Sequence, residues 1–166
     1  MATDNVVHQL AIRVGNKLHE ERLMLATAES CTGGMVATAI TDISGSSTWF
    51  ERGFVTYSNL AKTEMIGVPA ALIEQHGAVS EPVARAMAEG ALRNSRAQVS
   101  VAITGVAGPA GGSEAKPVGT VSFAWSNRLH TAVETQLFKG DREQVRAQAA
   151  AHALRGLLEL LERRER

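Results

Sequence analysis

A short polar segment with two glycines carries the residue types of a nucleophilic site. Residues 30–34 read Ser30-Cys31-Thr32-Gly33-Gly34, and they directly follow a short apolar run at residues 23–28 and Glu29. Glycines let the backbone turn sharply and approach a ligand closely. Unpaired N–H groups at the start of a following helix would point at a negative charge, either a bound phosphate or an oxyanion. The alternative interpretation is an ordinary N-cap with a glycine turn.

A lysine and a tyrosine follow the next predicted strand. Tyr57 closes an aromatic and β-branched run, and Lys62 lies about one turn into the next predicted helix, so both can face one cleft. A serine nucleophile needs a base, and lysine can serve when its surroundings lower its pKa from about 10.4. An exposed lysine on a helix surface is the commoner arrangement for this residue type.

Cys31 competes with Ser30 for the role of nucleophile. A thiol at a helix N-terminus is expected to have a lowered pKa and to be reactive. None of the five histidines stands where it would be an obvious base for that thiol. The residues alone leave the choice between Ser30 and Cys31 open.

Two later segments add candidate binding groups. Thr104-Gly105 opens a glycine-rich loop that runs to Pro117, and its spacing G-x-x-G-x-x-G-G fits neither the dinucleotide fingerprint nor the P-loop. We therefore predict no NAD or ATP site. Arg142 stands in the first turn of the last predicted helix, where the helix dipole disfavours a cation, so it suggests an anionic partner. A solvated arginine is the alternative.

Hydrophobic periodicity and turn residues predict the elements that carry these segments. The predicted helices cover about 4–21, 35–40, 59–66, 69–77, 80–94 and 141–162, and the predicted strands 23–28, 49–57, 99–103, 121–125 and 129–137. Helices that alternate with strands, plus one hairpin, indicate an α/β sandwich with a mixed sheet. Three candidate segments follow strands, where ligands collect in such sheets. The last five residues, 162–166, are predicted to be a frayed, solvated end.

Composition restricts the classes of protein. The 166 residues predict a single domain spanning 1–166, and one cysteine without a Cys/His cluster predicts neither disulfides nor a metal site. Lys plus Arg and Asp plus Glu number 17 each, so the basic excess of a typical nucleic-acid binder is missing. No signal peptide or membrane-length apolar run is seen, which predicts a cytoplasmic protein with no membrane partner.

Six blocks of sequence, taken together and in order, resemble the CinA C-terminal domain family, and the resemblance covers nearly the whole chain. The blocks are Ala28-Glu29-Ser30-Cys31-Thr32-Gly33-Gly34, Tyr57-Ser58-Asn59 with Lys62, Gly77-Ala78-Val79-Ser80, Thr104-Gly105-Val106-Ala107-Gly108-Pro109, Lys116-Pro117-Val118-Gly119-Thr120-Val121 and Gly140-Asp141-Arg142. Any single block would be a weak signal, whereas the ordered set is specific.

The resemblance implies a three-layer α/β/α fold and hydrolysis of the carboxamide of nicotinamide mononucleotide, which yields nicotinic acid mononucleotide and ammonia in pyridine-nucleotide salvage. It implies Ser30 as the nucleophile, Lys62 as its base and Tyr57 as an assistant. The residues expected to bind substrate are Cys31, Thr32, Gly33, Gly34, Thr104, Gly105 and Arg142. The resemblance implies no cofactor and no metal. It also implies a homo-oligomer, with a dimer favoured.

Two departures from the family pattern limit the expectations. The N-terminal domain of full-length CinA, linked to ADP-ribose pyrophosphatase activity, does not precede this sequence, so we do not expect that activity. Val106 replaces a more usual isoleucine and Pro82 interrupts a more usual acidic pair, and neither touches the expected chemistry. The alternative function is a non-catalytic module that binds a nucleotide or a protein partner.

Overall fold

The structure is a computed structural model that describes residues 2–163, with side chains described from residue 5 onward. The α-helices are α1 (Ala2–Glu21), α2 (Met35–Thr41), α3 (Asn59–Ile66), α4 (Ala70–His76), α5 (Glu81–Arg93) and α6 (Arg142–Arg163). The strands are β1 (Leu25–Glu29), β2 (Phe50–Val55), β3 (Val99–Gly105), β4 (Thr120–Ser126) and β5 (Thr131–Leu137). Of the predicted frayed end, residues 164–166 lie outside the described residues.

The strands form one mixed sheet in the order β2-β1-β3-β4-β5. β1 pairs in parallel with β2 and β3, whereas β4 pairs antiparallel with both β3 and β5. β1, β2, β3 and β5 therefore all end at the same edge of the sheet, which we call the carboxyl edge. The candidate segments all begin near this edge. Residues 30–34 follow β1, Tyr57 follows β2, Thr104 lies near the end of β3, and Arg142 follows β5.

Successive residues of a strand point to opposite faces of the sheet. In this sheet the side chains on the two faces differ in size. One face presents Val101, Ile103, Phe123 and Trp125 to the layer formed by α1, α2 and α6. The other presents Ala26, Ala28, Ala102 and Ala124 to the layer formed by α3, α4 and α5. The predicted three-layer α/β/α sandwich is confirmed. None of the described helices is both long enough and apolar enough to cross a membrane.

Some strand bounds differ from the prediction for a physical reason. β1 begins two residues later than predicted and includes Glu29, a residue that alternation alone would not place in a buried strand. β2 is shorter at both ends than the predicted 49–57. β3 continues past residue 103 because Thr104 and Gly105 pair with β4.

Candidate active site

The carboxyl edge brings together most of the residues predicted from the sequence. A cleft of about 250 Å³ opens there. The predicted residues that line it are Ser30, Cys31, Tyr57, Lys62, Thr104, Gly105 and Arg142. Thr32, Gly33 and Gly34 do not line this cleft, and the two glycines border a separate apolar groove beside α1. Asn59 lines the cleft and was missed by the prediction.

Lys62 is buried at the end of the cleft and points at Ser30. Its side chain is only 1% exposed, so the exposed-lysine interpretation is wrong for this chain. Its Nζ lies 3.1 Å from the Oγ of Ser30, 3.0 Å from the carbonyl oxygen of Thr56 and 3.4 Å from that of Tyr57. Desolvation by burial lowers the pKa of Lys62, and the charge of the nearby Cys31 thiolate would oppose this shift.

The partners of Lys62 fit either charge state of its amine. The ammonium donates to the Oγ of Ser30 and to the carbonyls of Thr56 and Tyr57, while the Ser30 hydroxyl donates to the Tyr57 carbonyl at 3.4 Å. A neutral amine has two N–H groups and one lone pair, and a carbonyl oxygen can only accept a hydrogen bond. When the carbonyls of Thr56 and Tyr57 take the two N–H groups, the lone pair is left for the hydroxyl of Ser30. The arrangement can therefore receive the proton of Ser30.

Cys31 lies beside Ser30, yet its surroundings keep the thiol protonated. Burial raises the pKa of Cys31 to about 12, and the charge of Glu29 adds to the rise. The opposing effects of its own backbone N–H and of the Arg146 and Lys62 charges are smaller. The expectation of a lowered thiol pKa is wrong, because desolvation outweighs the turn's favourable dipole. This favours Ser30 over Cys31.

A buried carboxylate occupies the start of α2. Glu29 is 1% exposed and accepts hydrogen bonds from the N–H groups of Val36 and Ala37, both at 3.0 Å, and from the Thr32 hydroxyl at 2.6 Å. The open N-terminus that the sequence suggested for α2 is therefore filled by the protein itself. Glu29 was missed as a functional position, and its only signal is an acid directly before the Ser-Cys-Thr-Gly-Gly turn.

Three backbone donors of the turn stay free. The N–H of Gly33 donates to the carbonyl of Ser30 at 3.0 Å, which closes a tight turn. Within the described part of the chain, no other residue accepts from the N–H of Cys31, Thr32 or Gly34. These three remain as backbone donors for a negatively charged oxygen.

An arginine of α6 holds the other side of the same turn. The Nε of Arg146 donates to the carbonyl of Cys31 at 3.0 Å, and its Nη2 donates to the carbonyl of Thr32 at 3.3 Å. Gly33 adopts a left-handed φ of 57°, and a Cβ there would lie 3.4 Å from Nη2 of Arg146. Glycine thus suits both the backbone conformation and the close approach of the guanidinium.

Tyr57 and Arg142 meet at the mouth of the cleft. The Tyr57 side chain is 63% exposed, and its hydroxyl accepts a hydrogen bond from Nη2 of Arg142 at 3.2 Å. Nη1 of Arg142 donates to the carbonyl of Gly108 at 2.8 Å. Arg142 is therefore held at the entrance, whereas the part of Tyr57 that contacts Lys62 is its main-chain carbonyl.

Thr104 and Gly105 shape the wall of the cleft that β3 supplies. The Thr104 hydroxyl donates to the carbonyl of Ala78 at 3.0 Å, which ties β3 to the segment before α5. A Cβ on Gly105 would lie 2.7 Å from Val121 and 3.1 Å from the sulfur of Cys31, so only glycine fits there. Among the described residues, no group of three His, Cys, Asp or Glu side chains could hold a metal ion.

The sequence profile of the CinA C-terminal domain matches residues 7–161. This chain belongs to the CinA C-terminal domain family. Among curated CinA-family relatives, it is 56% identical over 156 residues to the nicotinamide-nucleotide amidohydrolase PncC of Escherichia coli K12, which covers 93% of this chain and 94% of that protein. It is 54% identical over 151 residues to the protein of the same name from Pseudomonas putida, with 91% and 94% covered.

Solved CinA-family structures have the same fold. The competence/damage inducible protein CihA of Agrobacterium tumefaciens superposes with a TM-score of 0.91 at 43% identity, covering 93% of this chain and 95% of that one. A CinA superfamily protein of Escherichia coli superposes with a TM-score of 0.90 at 40% identity, covering 93% and 90%. The family resemblance predicted from the six sequence blocks is confirmed.

Proposed function

We propose that this chain hydrolyses the carboxamide of nicotinamide mononucleotide to nicotinic acid mononucleotide and ammonia, with Ser30 as nucleophile and Lys62 as base. The observation that carries the proposal is the buried Nζ of Lys62, 3.1 Å from the Oγ of Ser30, with two carbonyls engaging its other donor positions. The names of the curated relatives supply the substrate and agree with the predicted hydrolase class.

The first half of the reaction forms an acyl-enzyme. The Oγ of Ser30 attacks the carboxamide carbon while the lone pair of Lys62 takes its proton. The tetrahedral oxyanion is stabilised by preorganised donors. The C–N bond then breaks, and the ammonium of Lys62 gives its proton to the leaving nitrogen, which departs as ammonia. Lys62 suits this step better than Tyr57, because its Nζ lies 3.1 Å from the Oγ of Ser30, whereas the Tyr57 hydroxyl lies at the exposed mouth of the cleft beside Arg142.

The second half returns the enzyme to its starting state. Water attacks the Ser30 ester, Lys62 takes a proton from that water, and the ester C–O bond breaks. The proton on Lys62 returns to the Oγ of Ser30, the second proton of the water passes to solvent, and the product leaves as a carboxylate. Arg142 at the mouth of the cleft is placed to attract the anionic end of the nucleotide.

The experiment that tests this proposal is ammonia release from nicotinamide mononucleotide by the purified protein. We expect Ser30→Ala and Lys62→Met each to lower kcat by about 10³-fold or more, because members of a catalytic unit fail together. Cys31→Ala should retain activity within about tenfold, because its thiol is protonated and takes no part. Loss of activity only in Cys31→Ala would move the nucleophile to the thiol.

A non-catalytic module that binds a nucleotide or protein partner is the competing function. It predicts saturable binding of nicotinamide mononucleotide to the wild-type protein with no ammonia released. The contact between Lys62 and Ser30 favours the enzyme, because a binding site has no use for a buried amine directed at a hydroxyl. A role in pyridine-nucleotide salvage, a cytoplasmic location and a homo-oligomer, with a dimer favoured, stay predictions.

A further inference from the structure

The peptide planes of the turn at residues 30–33 are fixed by Arg146, a residue outside the cleft. Arg146 reaches from α6 and donates to two successive carbonyls, those of Cys31 and Thr32. The planarity of a trans peptide places each carbonyl opposite the N–H of the next residue. By holding the carbonyl of Cys31 towards α6, Arg146 directs the N–H of Thr32 away from α6.

The neighbouring hydrogen bonds leave only a few N–H groups of the turn available to a ligand. The N–H of Gly33 is consumed by the Ser30 carbonyl, and the N–H groups of Val36 and Ala37 are consumed by Glu29. In the described chain the N–H groups of Cys31, Thr32 and Gly34 have no acceptor in another residue. Of these three residues, Cys31 directly follows the nucleophile and lines the cleft. A polar group left without an acceptor is costly unless water or a ligand pairs with it.

A charged donor on the carbonyl also changes the donor on the same peptide. Hydrogen bonds within one chain of groups polarise one another, so the guanidinium of Arg146 on the Cys31 carbonyl strengthens the Thr32 N–H as a donor. Charge-assisted hydrogen bonds of this kind are stronger than those between neutral groups. Arg146 thus supplies both direction and polarisation.

We propose that Arg146 is the positioning residue for the oxyanion site of Ser30: by holding the Cys31 and Thr32 carbonyls, it fixes the turn that carries the unpaired N–H groups of Cys31 and Thr32 beside the nucleophile. Arg146 itself touches neither substrate nor nucleophile. This inference rests on the proposed serine chemistry and adds to it the residue that preorganises its electrostatics.

The test compares Arg146→Met with Arg146→Lys and with Arg155→Met, an exposed arginine on the same helix. For ammonia release from nicotinamide mononucleotide, we expect Arg146→Met to lower kcat by about 10²-fold with KM nearly unchanged, because the oxyanion exists only in the transition state. Arg146→Lys, which keeps one charged donor, should recover part of that loss. Arg155→Met should match wild type.

Chemical rescue separates positioning from simple loss of folding. Guanidinium ion added at low millimolar concentration to Arg146→Ala should raise kcat several-fold, and Arg155→Ala should not respond. A kcat for Arg146→Met within about twofold of wild type would overturn the proposal. A rise in KM at constant kcat would also overturn it. A loss of kcat that accompanies unfolding in thermal melts and that guanidinium does not restore would overturn it as well.

An ester substrate distinguishes this proposal from the proposed function. Acylation of Ser30 by p-nitrophenyl acetate passes through the same kind of oxyanion but needs none of the nucleotide contacts. A protein that releases no ammonia yet acylates faster than its Arg146→Met variant would refute the substrate and retain the oxyanion assignment. Equal acylation rates in wild type and Arg146→Met would refute the assignment, whatever the amide assay shows.

Discussion

In the proposed mechanism, the charge state of one amine determines whether Ser30 is a nucleophile. Lys62 can take a proton only when it is neutral, and burial lowers its pKa from 10.5. Below that lowered pKa the amine carries a proton and cannot act as base, whereas above it the lone pair faces the Oγ of Ser30. The proposed mechanism thus couples the ionisation of a single residue to turnover.

The pH dependence of kcat/KM tests this coupling. We expect kcat/KM for nicotinamide mononucleotide to rise with pH and to level off, with the midpoint of the rise below 10.5, the ordinary pKa of a lysine. The measurement is initial ammonia release across acidic to alkaline pH in buffers of equal ionic strength. A midpoint at or above the ordinary lysine value would contradict a desolvated base.

Alkylation tests whether Cys31 is a protonated thiol that takes no part in the reaction. Because burial raises the pKa of Cys31 to about 12, the thiolate is scarce near neutral pH and iodoacetamide should label the native protein slowly. Mass spectrometry should find labelling complete only after unfolding in denaturant, and Cys31→Ser gives the unlabelled control. Rapid labelling of the folded protein, accompanied by loss of amidase activity, would contradict the assignment.

At the scale of elements, the turn after β1 depends on the start of α2. The carboxylate of Glu29 joins the last residue of β1 to the first turn of that helix through the N–H groups of Val36 and Ala37. It also holds the Thr32 hydroxyl, so one side chain fixes the strand end, the turn and the helix start. Ser30 lies inside this closed unit.

Removing that carboxylate should loosen the whole unit. We expect Glu29→Ala to lower the free energy of unfolding by about 3 kcal/mol, roughly 1 kcal/mol for each buried donor left unpaired. Glu29→Gln keeps one acceptor oxygen and should lose less. The control Glu64→Ala, on the exposed side of α3, should change stability by at most about 0.5 kcal/mol in urea unfolding. Equal stabilities for Glu29→Ala and Glu64→Ala would refute this role.

The packing of α3 against α5 sets where Lys62 stands. A Cβ added to Gly90 of α5 would lie 2.1 Å from the carbonyl oxygen of Ile66, the last residue of α3. Gly90→Ala gains about 1 kcal/mol of helix propensity but adds an overpacking cost of about 3 kcal/mol. We therefore expect a net loss of about 2 kcal/mol in urea unfolding, and a fall in kcat as α3 moves. A stabilised variant would mean that the two helices adjust freely.

The sequence predicts the elements well and their convergence poorly. Periodicity places α5 to within one residue and the β4–β5 hairpin to within two, because their apolar residues recur at the spacing of their own structure. β5 begins at Thr131 and not at the predicted residue 129, since residues 127–130 form the turn. The burial of Lys62 depends on two main-chain carbonyls that follow β2. No local pattern signals that arrangement. Glu29 and Arg146 were missed for the same reason, since each acts on backbone groups brought near by the fold.

At the scale of the molecule, the site joins both helical layers across the sheet. Lys62 comes from the layer of α3, α4 and α5, whereas Arg142 and Arg146 come from α6 in the opposite layer. Ser30 lies between them at the carboxyl edge. A ligand in the cleft therefore contacts groups whose relative positions exist only in the folded chain.

Ligand binding to Ser30→Ala separates recognition from catalysis. This variant cannot form the acyl-enzyme, so nicotinamide mononucleotide should bind without being consumed. A ligand that binds only the folded state stabilises it by about 2.7 kcal/mol at 100 times its Kd. For a chain of this size that corresponds to a rise in Tm of roughly 5–11 °C.

The substrate's carboxamide and phosphate can then be tested separately in the same melts. Nicotinamide riboside, which lacks the phosphate, should raise the Tm of Ser30→Ala less than the mononucleotide does, because Arg142 at the cleft mouth loses its anionic partner. In Ser30→Ala/Arg142→Met the two ligands should become nearly equal. Equal shifts in Ser30→Ala itself would show that the phosphate is bound elsewhere or left in solvent, and Arg142 would lose its proposed role.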